Sequence, residues 1–334
     1  MTTRRLSAAS CSTVADPARP KPPVTSTVSD MNLPKYDILF FGEYHIRWLG
    51  PTCRLGFGGG EKRNRQQMSN GADKPEVAKW DPGFTRQIKN WVGPIIRRYF
   101  RAEVRDLDAM PAVGGALVVS NHSGGMFTPD VLIFAPAFYD KFGFDRPVYT
   151  LAHYGVFIAN LGDWLRRAGV IEASRENAAK ALRDGAVVLV FPGGDYDSYR
   201  PTFTGNVIDF AGRTGYVRTA IETGVPIVPM VSIGGQETQL FLARGDSIAR
   251  RLGLKRARMQ ILPISIGFPF GLSAIFPPNV PLPSKIVTRV LEPIDIAAQF
   301  GDDPDVDEVD LHVRTVMQAA LDELARERRF PVLG

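Results

Sequence analysis

The sequence predicts an α/β fold, in which a central, mostly parallel β-sheet is covered by helices on both faces and preceded by an amphipathic helix. Three observations lead to this prediction. Short β-branched runs alternate with helical segments between residues 116 and 233, glycine ends two of those helices at Gly185 and Gly224, and apolar residues recur at helical spacing between Phe84 and Phe100. Strands separated by helices favour a parallel sheet that is buried on both faces.

The chain divides into two parts by composition. Residues 12–29 are rich in Pro, Ser and Thr, and such a segment has too little apolar surface to offset the entropy of ordering. The glycine run at 56–60 is not a phosphate-binding loop, because no Gly-Lys-Ser/Thr follows it in register. We therefore expect residues 1–75 to be a flexible, mostly disordered N-terminal segment and residues 76–334 to form one domain.

The first helix of this domain is predicted to be amphipathic. Its apolar face carries Phe84, Ile88, Trp91, Val92, Ile95, Ile96, Tyr99 and Phe100. Basic residues surround this face, and Pro94 is expected to kink the helix or to split it in two. Two interpretations stay open: the helix packs on the core, or it lies in a membrane interface with its basic residues at the headgroups.

The remaining elements follow from periodicity and from their end signals. We predict strands at 116–120, 148–152, 169–173, 186–191 and 226–233, and helices at 129–139, 160–168, 175–184 and 214–223. An acidic run at 302–310 precedes a last helix that ends near Arg329. Acid at the start and base at the end complement the helix dipole, so we interpret this run as structural.

Residues 259–284 contain no charged side chain and are interrupted by proline and glycine. One interpretation is a buried strand followed by a proline-rich loop. The other is an apolar loop, centred on residues 268–276, that enters a bilayer or lines an acyl channel. Because the sequence has no uninterrupted apolar run of about 18 residues, we expect no simple transmembrane helix.

Composition excludes several classes of function. The net charge of +5 and the 44% hydrophobic content fit a folded protein that meets an anionic membrane surface or a phosphorylated substrate. Two cysteines and four scattered histidines provide no disulfide framework and no metal-binding motif, so we expect no metal. No basic cluster is interleaved with aromatic residues in a recognisable module, and we expect no nucleic-acid partner. The basic start at Met1 lacks the apolar region of a signal peptide, which predicts a cytoplasmic protein.

The most informative stretch runs from Val118 to Asp130. A β-branched strand stops at Asn121 and His122, a glycine pair allows a turn, and Thr128 with a following proline has the sequence of a helix start. A histidine that removes a proton from an alcohol near neutral pH needs a carboxylate to fix its tautomer and to stabilise its charged form. Asp130 is the nearest downstream carboxylate.

Four segments together resemble the glycerophospholipid acyltransferase superfamily, whose members move an acyl chain from a thioester to a hydroxyl of a glycerolipid. The segments are residues 121–130, 169–178, 190–195 and 225–230. Their order and spacing are similar to the family's across roughly residues 85–295. The resemblance implies that the fold is of the glycerolipid acyltransferase type.

The resemblance also implies roles for individual residues. His122 is the expected general base, and Asp130 is expected to orient its ring. The expected substrate-binding residues are Asn121, Ser123, Arg175, Asn177, Pro192, Gly193, Gly194, Asp195 and Arg200. Backbone amides around Gly193 and Gly194 are expected to stabilise the oxyanion.

Two departures from the family pattern bear on the substrate. The family usually leaves four residues between His and Asp, a spacing that reaches Phe127 here, so Asp130 has to fold back toward His122. The third segment reads Phe191-Pro-Gly-Gly in place of Glu-Gly-Thr-Arg-Ser, which resembles the branch that includes diacylglycerol acyltransferases and related neutral-lipid enzymes. Arg175 and Arg200 are the residues that could replace the missing phosphate-binding arginine.

We therefore predict a membrane-associated O-acyltransferase that acts at the cytoplasmic face as a peripheral or monotopic protein. Acyl-CoA or acyl carrier protein is the expected co-substrate, with no further cofactor. The acceptor is a lysophospholipid, glycerol phosphate or a neutral glyceride. Two alternatives stay open: a lipid hydrolase or thioesterase in which His122 activates water, and a non-catalytic lipid-binding protein. The sequence contains no G-x-S-x-G motif, so it does not indicate an α/β-hydrolase.

Overall fold

A computed structural model describes residues 76–157, 160–253, 261–274, 277–330 and 332–333. The strands are β1 (Glu103–Arg105), β2 (Ala116–Ser120), β3 (Val148–Ala152), β4 (Val170–Glu172), β5 (Val187–Val190), β6 (Ile227–Ile233), β7 (Leu240–Ala243), β8 (Ile264–Gly267), β9 (Gly271–Ser273) and β10 (Val287–Val290). The α-helices are α1 (Pro82–Tyr99), α2 (Pro129–Phe142), α3 (Asn160–Arg167), α4 (Arg175–Arg183), α5 (Gly194–Ser198), α6 (Gly215–Thr223), α7 (Asp246–Arg251), α8 (Ile296–Phe300) and α9 (Val306–Glu327). The expectation for residues 1–75 lies outside the described residues and stays a prediction.

The main sheet has seven strands in the order β1-β10-β6-β2-β5-β3-β4. Strands β6, β2, β5, β3 and β4 are parallel to one another. Strand β10 pairs antiparallel with β6 and parallel with β1. The predicted α/β fold with a mostly parallel sheet is confirmed. The two strands that run the other way, β1 and β10, were not predicted from the sequence.

Side chains from both faces of the sheet enter hydrophobic clusters. On β2, Leu117 and Val119 belong to a cluster that includes Val217 and Met317 from helices α6 and α9. Val118 belongs to a second cluster, with Phe134 of α2 on the opposite face. This alternation follows from the period of two along a strand. Because both faces are covered, β2 is buried along its whole length, and its carboxyl end is held rigidly.

Helix α1 is not split at its proline, so one of the two expectations for Pro94 is wrong. It is one continuous helix with Pro94 inside it, capped at its start by Asp81, whose side chain accepts the Phe84 N–H at 2.9 Å. Its buried residues include Gly93, where an added β-carbon would lie 3.6 Å from the β-carbon of Pro136 of α2. The apolar face is divided: Phe84 and Phe100 are buried, whereas Trp91 and Ile95 are exposed, Trp91 to 79%. Part of the face therefore packs on the protein, as one interpretation expected, and the membrane-interface interpretation of the exposed part stays a prediction.

The charge-free segment contributes to a second, three-stranded sheet in the order β7-β8-β9. Strand β8 is only half-buried, with Ile266 exposed, so the expected fully buried strand is not found there. Residues 254–260 and 275–276 lie outside the described residues. Among the helices that the structure describes, none combines the length and the apolar character that a membrane crossing requires.

Candidate active site

His122 lies two residues beyond the carboxyl end of the central strand β2, which is buried along its whole length. The neighbouring Asn121 fixes this position with its side-chain amide: Nδ2 donates to the Ser232 carbonyl at 2.8 Å, and Oδ1 accepts the Ser232 N–H at 2.8 Å. Ser232 belongs to β6, which pairs with β2. Asn121 therefore extends the β2–β6 pairing by one side chain and sets the direction in which the chain leaves the sheet.

The loop after His122 folds Asp130 back toward the imidazole. Gly124 and Gly125 both have positive φ, of 78° and 60°, which L side chains adopt with strain. Thr128 precedes the first helical residue of α2 as expected, although its side chain makes no capping hydrogen bond. Asp130, in the first turn of α2, is fully buried, and its Oδ2 lies 3.2 Å from His122 Nδ1. The longer spacing between the two residues is thus absorbed by the glycine turn.

The Asp130 carboxylate has further partners that hold it in place. It accepts the Ser123 N–H at 2.9 Å and the Ser123 hydroxyl at 3.1 Å. Its position in the first turn of α2 also places it where the helix dipole favours negative charge. An ionised Asp130 accepts a hydrogen bond from Nδ1–H, so the ring's Nε2 carries the lone pair. Among the described residues, His122 therefore has the arrangement of a general base whose tautomer is set by a buried carboxylate.

The short helix α5 forms hydrogen bonds to the backbone of this loop. Asp197 accepts the His122 N–H at 2.7 Å through Oδ2 and the Arg200 guanidinium at 2.6 Å through Oδ1. Ser198, next in the chain, donates its hydroxyl hydrogen bond to the Gly125 carbonyl at 3.0 Å. Burial raises the pKa of Asp197 to about 6, against the opposing charge of Arg200. Two adjacent side chains of α5 thus accept or donate hydrogen bonds at two backbone positions of the turn, His122 and Gly125.

The Phe-Pro-Gly-Gly turn leads into α5 and packs beside the imidazole. Phe191 stacks on the His122 ring with a centroid separation of 4.3 Å. A β-carbon at Gly193 would lie 2.4 Å from the Asp197 β-carbon, so only glycine fits there. The Gly194 N–H donates to the Phe191 carbonyl at 3.0 Å, so this amide is used for a hydrogen bond within the turn. A role for the Gly193–Gly194 backbone in oxyanion binding stays a prediction.

Arg213 fixes the outer side of the same turn. Its guanidinium donates to the Gly193 carbonyl at 2.7 Å, to the Pro192 carbonyl at 3.2 Å and to the Asp195 carboxylate at 3.1 Å. The Asp195 carboxylate is otherwise partly exposed. The turn is therefore closed by an arginine that lies outside it in sequence.

The two predicted arginines are both paired with carboxylates of the protein. Arg200 is buried, and its guanidinium is committed to Asp197 and to the Val207 carbonyl. Arg175 forms an exposed ion pair with Glu222 at 2.8 Å. It follows edge strand β4, three strands from β2, which corresponds to about 14 Å across a sheet. The Asn177 side chain donates to the Glu172 carbonyl within the same segment. Contacts of these residues with a substrate stay predictions.

Two cavities border these elements. A small one of about 10 Å³ lies behind the imidazole, lined in part by His122, Asp197 and Arg200, and it has room for one water molecule at most. A larger groove of about 320 Å³ lies between α1 and α2, lined in part by Gly93 and Ile133. Its lining includes no predicted site residue.

Sequence reasoning missed four residues that shape the site: Phe191 as a ring partner, Asp197 and Ser198 as loop anchors, and Arg213 as the clamp of the turn. The i, i+3 spacing of Asp197 and Arg200 was a usable signal for an ion pair on a helical turn. Nothing in the sequence connected Arg213 to residues about twenty positions earlier. That contact depends on the tertiary arrangement of β5 and α6.

Comparison with known proteins places the chain in a family. The family model described as Acyltransferase matches residues 101–233, which include His122, Asp130 and the Phe-Pro-Gly-Gly turn. An uncharacterized protein of Mycobacterium tuberculosis strain H37Rv is 34% identical over 281 residues, covering 81% of this chain and 74% of that protein. A second uncharacterized protein, from Mycobacterium leprae, is 33% identical over 265 residues, covering 76% and 69%.

More distant similarities carry functional names. The human "DGAT1/2-independent enzyme synthesizing storage lipids" is 26% identical over 190 residues, covering 57% of this chain and 56% of that protein. The crystal structure of the 1-acyl-sn-glycerophosphate (LPA) acyltransferase PlsC from Thermotoga maritima aligns with a TM-score of 0.44 at 17% identity, covering 72% of this chain and 82% of that one. With the family model and the mycobacterial relatives, the conclusion is that this chain is an enzyme of the acyltransferase family, of the glycerophospholipid acyltransferase type.

Proposed function

We propose that the protein transfers a fatty acyl chain from the thioester of acyl-CoA or acyl carrier protein to a hydroxyl group of a glycerolipid, with His122 as the general base. The observation that carries this proposal is the His122–Asp130 pair at the carboxyl end of β2, with 3.2 Å between Nδ1 and the carboxylate. The membership of this chain in the acyltransferase family supports the same chemistry.

The proposed reaction needs no covalent enzyme intermediate. Nε2 of His122 takes the proton of the acceptor hydroxyl while the oxygen attacks the thioester carbonyl. The tetrahedral intermediate then collapses, the C–S bond breaks, and the imidazolium returns the proton to the leaving thiolate. Asp130 stabilises the imidazolium between these steps, as the aspartate of a triad does without a serine nucleophile. A well-placed general base contributes about 10²–10⁴-fold to the rate.

Among the possible acceptors, the site favours one that carries no phosphate monoester. Arg213, which contacts the Phe-Pro-Gly-Gly segment, is paired with Asp195, and Arg200 is paired with Asp197. A phosphate here would compete with the partly exposed Asp195 carboxylate for Arg213. The name of the human relative, an enzyme synthesizing storage lipids, is consistent with a neutral glyceride. We therefore propose monoacylglycerol or diacylglycerol as the preferred acceptor class.

We propose that the enzyme works at the cytoplasmic face of a membrane as a peripheral or monotopic protein, with α1 lying in the lipid interface. The helix exposes Trp91, Ile95 and Tyr99 on one face. Arg97 and Arg98 lie in its last turn, close to this face. An apolar stripe flanked by arginines is typical of helices that lie in the headgroup region of a bilayer.

The test measures acyl transfer from labelled long-chain acyl-CoA and from acyl carrier protein to a panel of acceptors. The panel contains glycerol 3-phosphate, lysophospholipids, monoacylglycerol and diacylglycerol, and compares wild type with His122→Ala. We expect transfer by wild type, preferentially to a glyceride, and a loss of about 10²-fold or more in the variant. The control is the variant Asp303→Asn, which changes an exposed residue of the acidic run. We expect this variant to transfer acyl groups at the wild-type rate.

The same assay separates the rival chemistry. Release of free fatty acid without transfer to any acceptor would indicate a hydrolase or thioesterase in which His122 activates water. Transfer that persists at the wild-type rate without His122 would contradict the proposed base. Binding of lipid without either reaction would indicate a non-catalytic lipid-binding protein.

A further inference from the structure

The three-stranded sheet has its apolar side turned outward. Ile266 of β8 and Leu272 of β9 are directly paired in register and lie on the same face, and both are exposed, Leu272 to 68%. Leu242 of β7 is exposed as well. The turn between β8 and β9 adds Phe268 at 78% and Phe270 at 53% exposure. We name β8, β9 and their turn, residues 264–273, the hairpin.

The opposite face of the hairpin is polar and points inward. Ser265 is buried, and its hydroxyl lies 3.1 Å from the Ser273 hydroxyl. Asn279 is also buried and completes this face: its Nδ2 donates to the Gly271 carbonyl at 2.9 Å, and its Oδ1 accepts the Phe270 N–H at 3.1 Å. A two-sided sheet in water normally buries its apolar face and exposes its polar one. The hairpin does the reverse, so its outer face fits an apolar environment.

The hairpin is connected to both the active-site loop and helix α1. Strand β7 follows the segment in which the Thr238 carbonyl accepts the Leu282 N–H at 2.7 Å, and a β-carbon at Gly125 would lie 2.8 Å from the Phe241 ring. On the other side, the Tyr99 hydroxyl of α1 donates to the Pro281 carbonyl. The hairpin and helix α1 both contact the loop at residues 279–282, and Phe241 of β7 lies beside the loop that follows His122.

Charge distinguishes a lipid bilayer from other occupants of this surface. Residues 259–284 contain no charged side chain, whereas Lys255, Arg256 and Arg258 precede them and Lys285 follows them in the sequence. An apolar tip bounded by cations complements a bilayer with an anionic surface, in which acyl chains lie beneath negative headgroups. A protein partner gives no reason for charge to be absent from the whole segment and basic at both ends.

We propose that the hairpin inserts Phe268 and Phe270 into the membrane and forms a second lipid contact beside α1. Two contacts fix the orientation of the enzyme, so that the loop that follows His122 is held close to the lipid surface where a membrane-embedded acceptor lies. This inference rests on the proposed function, because it deepens the membrane association proposed there.

The experiment compares the full-length wild type with the double variant Phe268→Ser/Phe270→Ser. The matched control, Val113→Ser/Leu311→Ser, removes two exposed apolar side chains elsewhere, one ahead of β2 and one on α9. Co-sedimentation with vesicles of phosphatidylcholine and phosphatidylglycerol measures the partition coefficient. Burying a phenylalanine stabilises by about 1.5–3 kcal/mol, so we expect the hairpin variant to bind about tenfold or more weakly and the control to bind like wild type.

Acyl transfer distinguishes a docking defect from a damaged site. With acceptor in vesicles, the hairpin variant should lose transfer in parallel with binding. With a water-soluble, short-chain glyceride it should match wild type, which also shows that it is folded. Equal vesicle binding by wild type and the hairpin variant would overturn the proposal, as would a wild-type dimer that becomes monomeric in the hairpin variant on size-exclusion chromatography with light scattering. If wild type transfers to no acceptor at all, the proposed function fails, while the binding comparison still decides the role of the hairpin.

Discussion

At the scale of single residues, the site depends on two buried carboxylates with different partners. Asp130 faces the imidazole ring of His122, whereas Asp197 faces its backbone N–H. The sequence indicated Asp130, because it was the first carboxylate after the histidine. It gave no reason to separate Asp197 from Asp195, since only the packing of α5 against the loop turns one of them inward.

We predict that Asp130→Asn lowers the turnover number by about 10²–10⁴-fold, because an amide can donate to Nδ1 and shift the ring proton to Nε2. Steady-state kinetics with acyl-CoA and the preferred acceptor measure the change, and the unfolding midpoint checks that the variant is folded. Asp303→Asn, on the exposed acidic run, is the matched control. A folded Asp130→Asn enzyme with wild-type turnover would remove Asp130 from the proposed mechanism.

A second prediction concerns the dependence of stability on pH. Burial raises the pKa of Asp197 to about 6 from its ordinary value of 3.8, so the folded protein keeps this proton between about pH 4 and pH 6, where the unfolded chain has released it. The contribution of Asp197 to the free energy of unfolding is therefore greatest below pH 4 and declines as the pH rises through 6. Relative to Asp197→Asn, wild type should lose about 2–3 kcal/mol between pH 4 and pH 7.

Urea unfolding of both proteins at the two pH values measures this difference. Asp303→Asn, whose carboxylate is exposed, is measured beside them as the control variant. An advantage of wild type over Asp197→Asn that grows with rising pH would mean that pairing with Arg200 outweighs burial, contrary to this prediction.

At the scale of elements, the structure explains which predictions succeeded. Strands β2, β5 and β6 were predictable because each is a mostly apolar run rich in Val or Ile, buried on both faces. Strands β1 and β9 have only three residues each, too few for a period of two to stand out. Helix α5 has acidic and aromatic residues in a five-residue segment, which is too short for a helical periodicity to stand out in the sequence.

We predict that Gly193→Ala lowers the free energy of unfolding by about 1–3 kcal/mol, as overpacking does, and impairs turnover. The backbone at Gly193 is in the ordinary helical region, so the cost comes from the 2.4 Å approach to the Asp197 β-carbon. Gly93→Ala is the control, because its β-carbon meets Pro136 at an ordinary 3.6 Å and alanine favours a helix interior. Thermal unfolding of the two variants measures the difference. A Gly193→Ala protein as stable and active as Gly93→Ala would show that the turn can relax.

At the scale of the whole molecule, one sheet organises the functional surface. The catalytic loop, the Phe-Pro-Gly-Gly turn and the segment after β6 all follow carboxyl ends of parallel strands, β2, β5 and β6, which lie next to one another in the sheet. Ligands in open α/β sheets bind at these ends. The order of the strands could not be derived from the sequence, because pairing between distant segments depends on tertiary packing. The position of His122 at a strand end could.

Because the seven-stranded sheet and every predicted site residue lie within residues 76–334, we predict that a fragment of these residues folds and transfers acyl groups without residues 1–75. Circular dichroism should show a cooperative thermal transition, and the turnover number should be within about threefold of the full chain. The same fragment with His122→Ala provides the background. Loss of the cooperative transition on removal of residues 1–75 would contradict the predicted division of the chain.

The glycine turn between His122 and Asp130 also bears on how such enzymes are recognised. His122 and Asp130 stand at the end of one element and the start of the next, so the scaffold fixes their separation in space while the connection between them can differ in length. A search for His and Asp at a fixed interval would pass over this pair, although the two side chains are 3.2 Å apart. The distance between the side chains is therefore a better criterion for recognising such a pair than the number of residues between them.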